Sequence, residues 1–134
     1  MLPNTAVVEV RFSDCDPMGH VNNANYLTYF EQGRVEFLRQ NHLGWSLPFI
    51  IAEAHVRFVA PAQFAEFVYV HVQVVKIGQK SWRFAYRATD ESGQRLFAEG
   101  WTAQVAFDYT THKSMAIPED FRAVLERWLV PSEA

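Results

Sequence analysis

The chain has 134 residues, of which 49% are hydrophobic and 20% are charged, and its formal net charge is −3. This composition predicts one globular domain over residues 1–134, and the negative charge argues against a nucleic-acid-binding protein, which needs a basic face. No apolar run could cross a membrane, no signal peptide is visible, and a lone cysteine cannot form an intrachain disulfide, so we expect a cytoplasmic protein without a membrane partner.

The first third of the chain predicts a strand, a loop and a long helix. Residues 5–13 are rich in β-branched side chains, and residues 14–23 carry turn-forming residues. Asn22 or Asn23 can cap a helix that begins at Asn23 or Ala24 and ends near residues 41–44. The apolar stripe of this helix is formed by Leu27, Phe30, Phe37 and Leu38.

The rest of the chain predicts four strands and a short helix. Alternating apolar residues indicate strands over residues 50–60, 66–77, 81–89 and 94–109, and a helix opens at Pro118. The short connections favour antiparallel neighbours in a curved sheet that wraps around the long helix. Such a sheet leaves apolar residues on its outer face, which predicts oligomerisation: Val75, Trp101, Val105 and Phe107.

The loop between the first strand and the helix carries more chemistry than a connection requires. Its sequence from Asp14 to Tyr26 combines two acids, a proline, a glycine, a histidine and three asparagines directly before a helix N-terminus. A carboxylate, a polar positioning group and free backbone donors are the parts of a small active site. Cys15 is a poor nucleophile candidate because its two acidic neighbours raise a thiol pKa.

Residues 11–26, with the core Gly-His-Val-Asn-Asn, resemble the opening motif of the hotdog-fold acyl-CoA thioesterases, in the 4-hydroxybenzoyl-CoA thioesterase branch. Residues 80–83 and 116–121 are also similar to that branch, and the element order matches over essentially the whole chain. The resemblance implies an α+β hotdog fold, with a curved antiparallel five-stranded sheet around one long central helix and a short C-terminal helix. The core motif also resembles thioesterases that act on aliphatic chains, so the choice between aryl and aliphatic substrates stays open.

The resemblance implies hydrolysis of an acyl-CoA to a free acid and CoA, without a metal or a bound cofactor. By this resemblance Asp16 is the catalytic carboxylate, acting as general base or nucleophile, and His20 with Asn23 positions the reactants. Two carboxyl groups that lie close together raise each other's pKa. Asp14 therefore either raises the pKa of Asp16 or, as the alternative, forms an ion pair with Arg11.

The same resemblance places the substrate against further residues and a second subunit. Tyr26 is a candidate for the acyl-chain lining, and Lys80 and Arg83 are candidates for the phosphates of CoA. The assembly is a dimer at minimum and typically a tetramer. Glu31 either joins a site across the dimer or pairs with Arg34 at i+3.

Two alternatives to an acyl-CoA thioesterase stay open at this point. One is a thioesterase for acyl carrier protein, and the other is a non-catalytic hotdog module that binds acyl-CoA. A metal site is not indicated because the histidines show no paired ligand spacing: His20, His42, His55, His71 and His112.

Overall fold

The computed structural model describes residues 1–44 and 49–131, and in these ranges it contains one sheet and two α-helices. The strands are β1 (Thr5–Glu9), β2 (Phe49–Phe58), β3 (Phe67–Ile77), β4 (Ser81–Thr89), β5 (Leu96–Asp108) and β6 (Lys113–Ser114). The helices are α1 (Asn25–Gln40) and α2 (Glu119–Trp128). The strand order is β1-β3-β4-β5-β2, every pair is antiparallel, and β6 pairs with β5. The predicted α+β architecture is therefore confirmed.

The core lies between α1 and one face of the sheet. Alternate residues of β3 and β4 are buried there, as the twofold periodicity of a strand requires. Phe30 of α1 stacks on Tyr86 at 4.4 Å between ring centroids. Gly33 lets the helix approach β3 closely, because a Cβ at this position would lie 2.8 Å from Val72 Cγ2 and 2.9 Å from Val70 Cγ1.

The helix covers only part of the sheet. It packs on β1, β3 and β4, whereas it touches β2 near the end of that strand, where the ring of Tyr26 packs on Phe58. Within the described residues β2 pairs only with β5, and its side chains are almost all exposed, including Ile50 and Ile51. Leu27 was expected in the apolar stripe of α1, but it is exposed because it points toward this uncovered half.

Most predicted boundaries lie within two residues of the observed ones, but the first strand is too long in the prediction. It ends at Glu9 rather than residue 13, because the chain turns through a short 3₁₀ helix at Phe12–Asp14. The helix begins at Asn25 rather than Asn23 or Ala24, and the short β6 was not predicted. The described part of the chain therefore contains six strands, namely the five predicted ones and β6.

Candidate active site

Residues 15–21 form a tight closed loop directly before α1. Cys15 and Val21 pair as an antiparallel bridge at its base. Above the bridge, the Asp16 N–H donates to the His20 carbonyl at 2.8 Å, and the Gly19 N–H donates to the Asp16 carbonyl at 2.9 Å. Gly19 has a φ of +80°, which a residue without a Cβ adopts at no steric cost. The backbone therefore fixes the direction in which the Asp16 side chain leaves the loop.

The two oxygens of the half-buried Asp16 carboxylate have different surroundings. Oδ1 accepts the N–H groups of Met18 at 2.9 Å and His20 at 3.3 Å. Oδ2 has no hydrogen-bond donor among residues 1–44 and 49–131. One oxygen thus holds the side chain in place, and the other retains its capacity to accept a proton or attack a carbon.

A second segment of the fold supports the loop from below. The Val21 N–H donates to the Ala62 carbonyl at 2.9 Å, and His20 pairs with Gln63. The Tyr26 hydroxyl accepts the Ala62 N–H at 3.4 Å, and the buried Tyr26 ring packs on Tyr29 and Phe58. Tyr26 therefore underlies the loop as part of the core, while His20 is half-exposed beside Asp16.

Asp14 is only 1% exposed and is enclosed by donors. Arg11 donates to it through its backbone N–H at 3.0 Å and its guanidinium at 2.8 Å, and the Tyr29 hydroxyl donates at 2.9 Å. Burial by itself raises the pKa of the Asp14 carboxyl, but these hydrogen bonds outweigh it and the pKa lies below its usual value. Of the two roles foreseen for Asp14, holding Arg11 is the one observed.

The main chain of Asp14 also sets the start of α1. Its carbonyl accepts the Asn22 N–H at 2.8 Å and the Asn25 side-chain amide at 2.9 Å. The Asn22 side chain accepts the Ala24 N–H at 3.0 Å in a turn that precedes α1. The N-cap residue of α1 is Ala24, which has no side-chain capping bond, so the predicted cap at Asn22 or Asn23 is wrong. Asn23 is exposed, and its carbonyl accepts the Tyr26 N–H at 3.3 Å. The Asn23 side chain is therefore directed at solvent next to the loop.

The two candidates for phosphate binding lie away from Asp16. Lys80 lies just after the end of β3, whereas the loop of Asp16 contacts the segment just before the start of β3. The eleven residues of β3 span roughly 35 Å, so Lys80 and Asp16 lie at opposite ends of this strand. Arg83 lies on the outer face of the sheet, with its Cζ 3.9 Å from the ring centroid of Trp101. Within one chain, therefore, neither residue shares a site with Asp16.

A cleft of about 240 Å³ opens between α1 and the uncovered half of the sheet, and the sequence analysis did not foresee it. Its lining residues come from the first turns of α1, from β2 and from β5: Leu27, Thr28, Glu31, Arg34, Ile51, Ala54 and Thr102. Arg34 lies four residues after Phe30 and three before Phe37, so a charge interrupts the apolar stripe of the helix. This charged residue within the apolar stripe is the sequence feature from which the cleft could have been predicted.

Solved structures of thioesterases share this architecture. A thioesterase from Thermus thermophilus, solved with coenzyme A and Zn, has 28% identity and a TM-score of 0.82, with 92% of each chain covered. A 1,4-dihydroxy-2-naphthoyl-CoA thioesterase from Synechocystis shares the fold at 19% identity and a TM-score of 0.82, over 90% of this chain and 93% of that one. The fold is therefore the hotdog fold of thioesterases, as the sequence predicted.

The family is established by sequence. Residues 10–125 match the model of the thioesterase-like superfamily, and the chain belongs to this superfamily. Among curated proteins, the long-chain acyl-CoA thioesterase FadM of Escherichia coli strain K12 is 25% identical over 125 residues, which are 90% of this chain and 95% of FadM. The predicted enzyme class, a thioester hydrolase, is thus confirmed. No helix in the described part of the chain is long and apolar enough to cross a membrane.

Proposed function

We propose that the protein hydrolyses the thioester of an acyl-CoA to a carboxylic acid and CoA, with Asp16 as general base or nucleophile. The observation that supports this most directly is the unequal pair of carboxylate oxygens, because Oδ1 is held by two N–H groups and Oδ2 has no donor in the described ranges. An anchored carboxylate with one unoccupied oxygen is suited to either role. The relatives named as acyl-CoA thioesterases support the choice of substrate class.

Two routes use the same oxygen. As a base, Oδ2 takes a proton from water while the water oxygen bonds to the thioester carbon, and the C–S bond then breaks to release CoA. As a nucleophile, Oδ2 bonds to that carbon and displaces the CoA thiolate, leaving an anhydride that water hydrolyses. In both routes negative charge develops on the carbonyl oxygen, which the positive end of the α1 dipole can stabilise.

His20 and Asn23 are proposed to position the reactants. Both follow Asp16 within seven residues, His20 is half-exposed beside the carboxylate, and the Asn23 side chain is exposed before α1. An imidazole and an amide can each orient a water molecule or the thioester carbonyl by hydrogen bonding. Tyr26 is proposed to shape the acyl site from its buried position below the loop.

We also propose that the protein works as a homodimer or a homotetramer in the cytoplasm. The exposed edge strand β2 and the half-buried Trp101 and Val105 on the outer face are surfaces that another copy would cover. Lys80 and Arg83 could reach the phosphates of CoA at an Asp16 site only from a second copy, since within one chain they lie away from it. Light scattering at micromolar concentration tests this proposal, and a monomer would contradict it.

Thiol release from a panel of short, medium, long-chain and aryl acyl-CoAs tests the function. Asp16→Asn retains an oxygen for Met18 and His20 but loses the basic one, so kcat should fall about 10²- to 10⁴-fold with the fold intact. Asp108→Asn is the matched control, because Asp108 Oδ1 also accepts two backbone N–H groups, of Thr110 at 2.8 Å and Thr111 at 3.3 Å. That variant should keep wild-type rates.

Other outcomes of the panel are equally informative. Release that is unchanged in Asp16→Asn would retain the enzyme but reject Asp16 as its catalytic residue. A wild type that releases no thiol from any acyl-CoA would reject the acyl-CoA substrate. Acyl carrier protein thioesters would then be assayed, and binding of acyl-CoA without turnover would indicate a non-catalytic module.

A further inference from the structure

We propose that the cleft beside α1 receives the acyl group and that Arg34 binds a carboxylate at the end of that group remote from the thioester. The preferred substrate would then be the CoA thioester of a dicarboxylic acid rather than of a simple fatty acid. This inference rests on the proposed thioesterase function and specifies its substrate class. It is carried by the shape of the cleft, by a buried hydrogen-bonded chain and by the unsatisfied donors of one guanidinium.

The cleft lies along the first three turns of α1. Leu27 and Thr28 line it near the start of the helix, which follows the loop of Asp16 in the chain, and Arg34 lines it about two turns further along. Seven helical residues correspond to about 10 Å along the helix axis. A group bound at Arg34 would therefore lie an acyl chain's length away from a thioester at the start of the helix.

The Arg34 guanidinium is held by a polar chain inside the core. It donates to the Tyr86 hydroxyl at 3.2 Å, and the Tyr86 hydroxyl bonds to Thr102 Oγ1 at 2.5 Å. Tyr86, Thr102 and Gln104 are all buried. Burial raises the pKa of the Tyr86 phenol, so its hydroxyl keeps its proton and can donate onward.

Gln104 closes this chain and gives it a direction. With its amide oxygen facing the Thr102 hydroxyl, the Gln104 amide nitrogen donates to the carbonyls of Trp82 at 3.3 Å and Thr102 at 3.1 Å. Donation then runs one way, from Arg34 through Tyr86 and Thr102 to the backbone. A chain of this kind holds a guanidinium in one orientation, as recognition of a planar ligand requires.

Most of the hydrogen-bonding capacity of Arg34 is unused. A guanidinium has five N–H donors, and in the described part of the chain only the bond to Tyr86 is formed. The side chain is only 12% exposed, so water cannot freely replace the missing partners. The Glu31 carboxylate lies 4.0 Å away but its side chain is 62% exposed, and such a pair compensates a buried charge weakly.

A carboxylate satisfies these donors best. It is planar, carries the opposite charge and can accept two parallel N–H bonds from the guanidinium fork. A terminal methyl group would leave the donors unpaired after the cleft excludes water, which carries a desolvation cost. Glu31 lies at the exposed rim of the cleft and can turn into solvent when a ligand carboxylate binds Arg34.

The test compares kcat/KM for acyl-CoAs of equal chain length that end in either a carboxylate or a methyl group, such as suberoyl-CoA and octanoyl-CoA. The wild type should favour the carboxylate-terminated substrate about 10- to 100-fold, the range of one charged hydrogen-bonded pair. Arg34→Gln should reduce that ratio at least tenfold, and Arg34→Lys, which keeps the charge but loses the fork, should reduce it less. Arg39→Gln is the control on the same helix, because Arg39 is exposed and pairs with Glu36, and it should not change the ratio.

The outcomes separate this inference from the function on which it rests. If the wild type hydrolyses both substrates equally or prefers the methyl-terminated one, the carboxylate site is rejected while the thioesterase stands. If the wild type prefers the carboxylate but Arg34→Gln keeps the ratio, Arg34 is rejected as the binding residue. Failure to release thiol from either substrate, or from any other acyl-CoA, would instead reject the proposed function. The wild-type ratio needs no variant, so it remains decisive even if Arg34→Gln does not fold.

Discussion

Two neighbouring segments of the chain use an aspartate in opposite ways. In the segment Arg11–Asp14, the carboxylate is buried and both of its oxygens are bonded to donors from Arg11 and Tyr29. In the loop of residues 15–21, the Asp16 carboxylate is half-buried, and among the described residues only its Oδ1 accepts hydrogen bonds. A carboxylate with all its acceptors satisfied stabilises the fold, whereas one with a spare acceptor can take part in chemistry.

This contrast shows why the two acids cannot exchange roles. Asp14 has a lowered pKa and is only 1% exposed, so it is a weak base that water and substrate reach poorly. The Asp14 side chain fixes the turn before the loop. The Asp14 carbonyl then accepts the Asn22 N–H and the Asn25 side-chain amide at the start of α1. The position of Asp16 thus depends on Asp14, although the two side chains share no hydrogen bond among the described residues.

The largest effect on stability is expected from removing the charge of Asp14. Asp14→Asn replaces one charged acceptor by an amide nitrogen that faces donors, so the free energy of unfolding should fall by about 2–3 kcal/mol. Urea denaturation at pH 7 measures this loss. Asp90→Asn, at the hairpin turn between β4 and β5, is the control and should lose less, since Asp90 is only half-buried. Equal losses in both variants would remove the distinction between a fully buried and a half-buried carboxylate.

The same comparison predicts a dependence on pH. The folded-state pKa of Asp14 lies below its unfolded value of about 3.9, so its stabilising effect is complete above that value and disappears as pH falls through the folded pKa. The difference in unfolding free energy between wild type and Asp14→Asn should be constant from pH 7 to about 5 and should narrow below about pH 4. Urea denaturation at several pH values measures the difference. A gap that widens on acidification would contradict the lowered pKa.

A smaller and more selective effect is expected from glycine. Gly19 in the loop of Asp16 and Gly93 in the hairpin after β4 have φ values of +80° and +78°, and a Cβ at either would meet nothing within 4 Å. Alanine should therefore cost about 1–2 kcal/mol of stability at both positions, through backbone strain alone. Only Gly19→Ala should also lower kcat, by about tenfold, because it displaces Asp16.

The outcome for the two glycine variants sharpens the contrast between the segment of Asp14 and the loop of Asp16. Denaturation midpoints measure the loss of stability that is expected in both variants. Thiol release, at a temperature where both variants are folded, measures the loss of kcat that is expected only in Gly19→Ala. If Gly93→Ala loses as much activity as Gly19→Ala, the loss reflects general destabilisation. If neither loses activity, the backbone of residues 15–21 does not control the position of the reactive carboxylate.

The sequence was most informative where local patterns carry the structure. Alternation in β3 and β4 and the breaks at Gly93 and Pro118 follow from side-chain periodicity and backbone conformation, which act over a few residues. The early end of β1 was missed because the turn at Phe12–Asp14 depends on a bond from the Arg11 N–H to the Asp14 side chain. A strand pattern does not reveal such a side-chain-to-backbone bond.

By itself, then, the sequence determined the order of helix and strands, the family motif of residues 11–26 and the candidate Asp16. Only the tertiary structure decided that both oxygens of Asp14 accept hydrogen bonds, that Lys80 lies at the far end of β3 from the loop of Asp16, and that Arg34 reaches Tyr86 across 52 positions of sequence. The reason is physical. Periodicity and turn propensity are local, whereas the partners that satisfy or leave free a charged group are brought together only when distant strands and the helix pack.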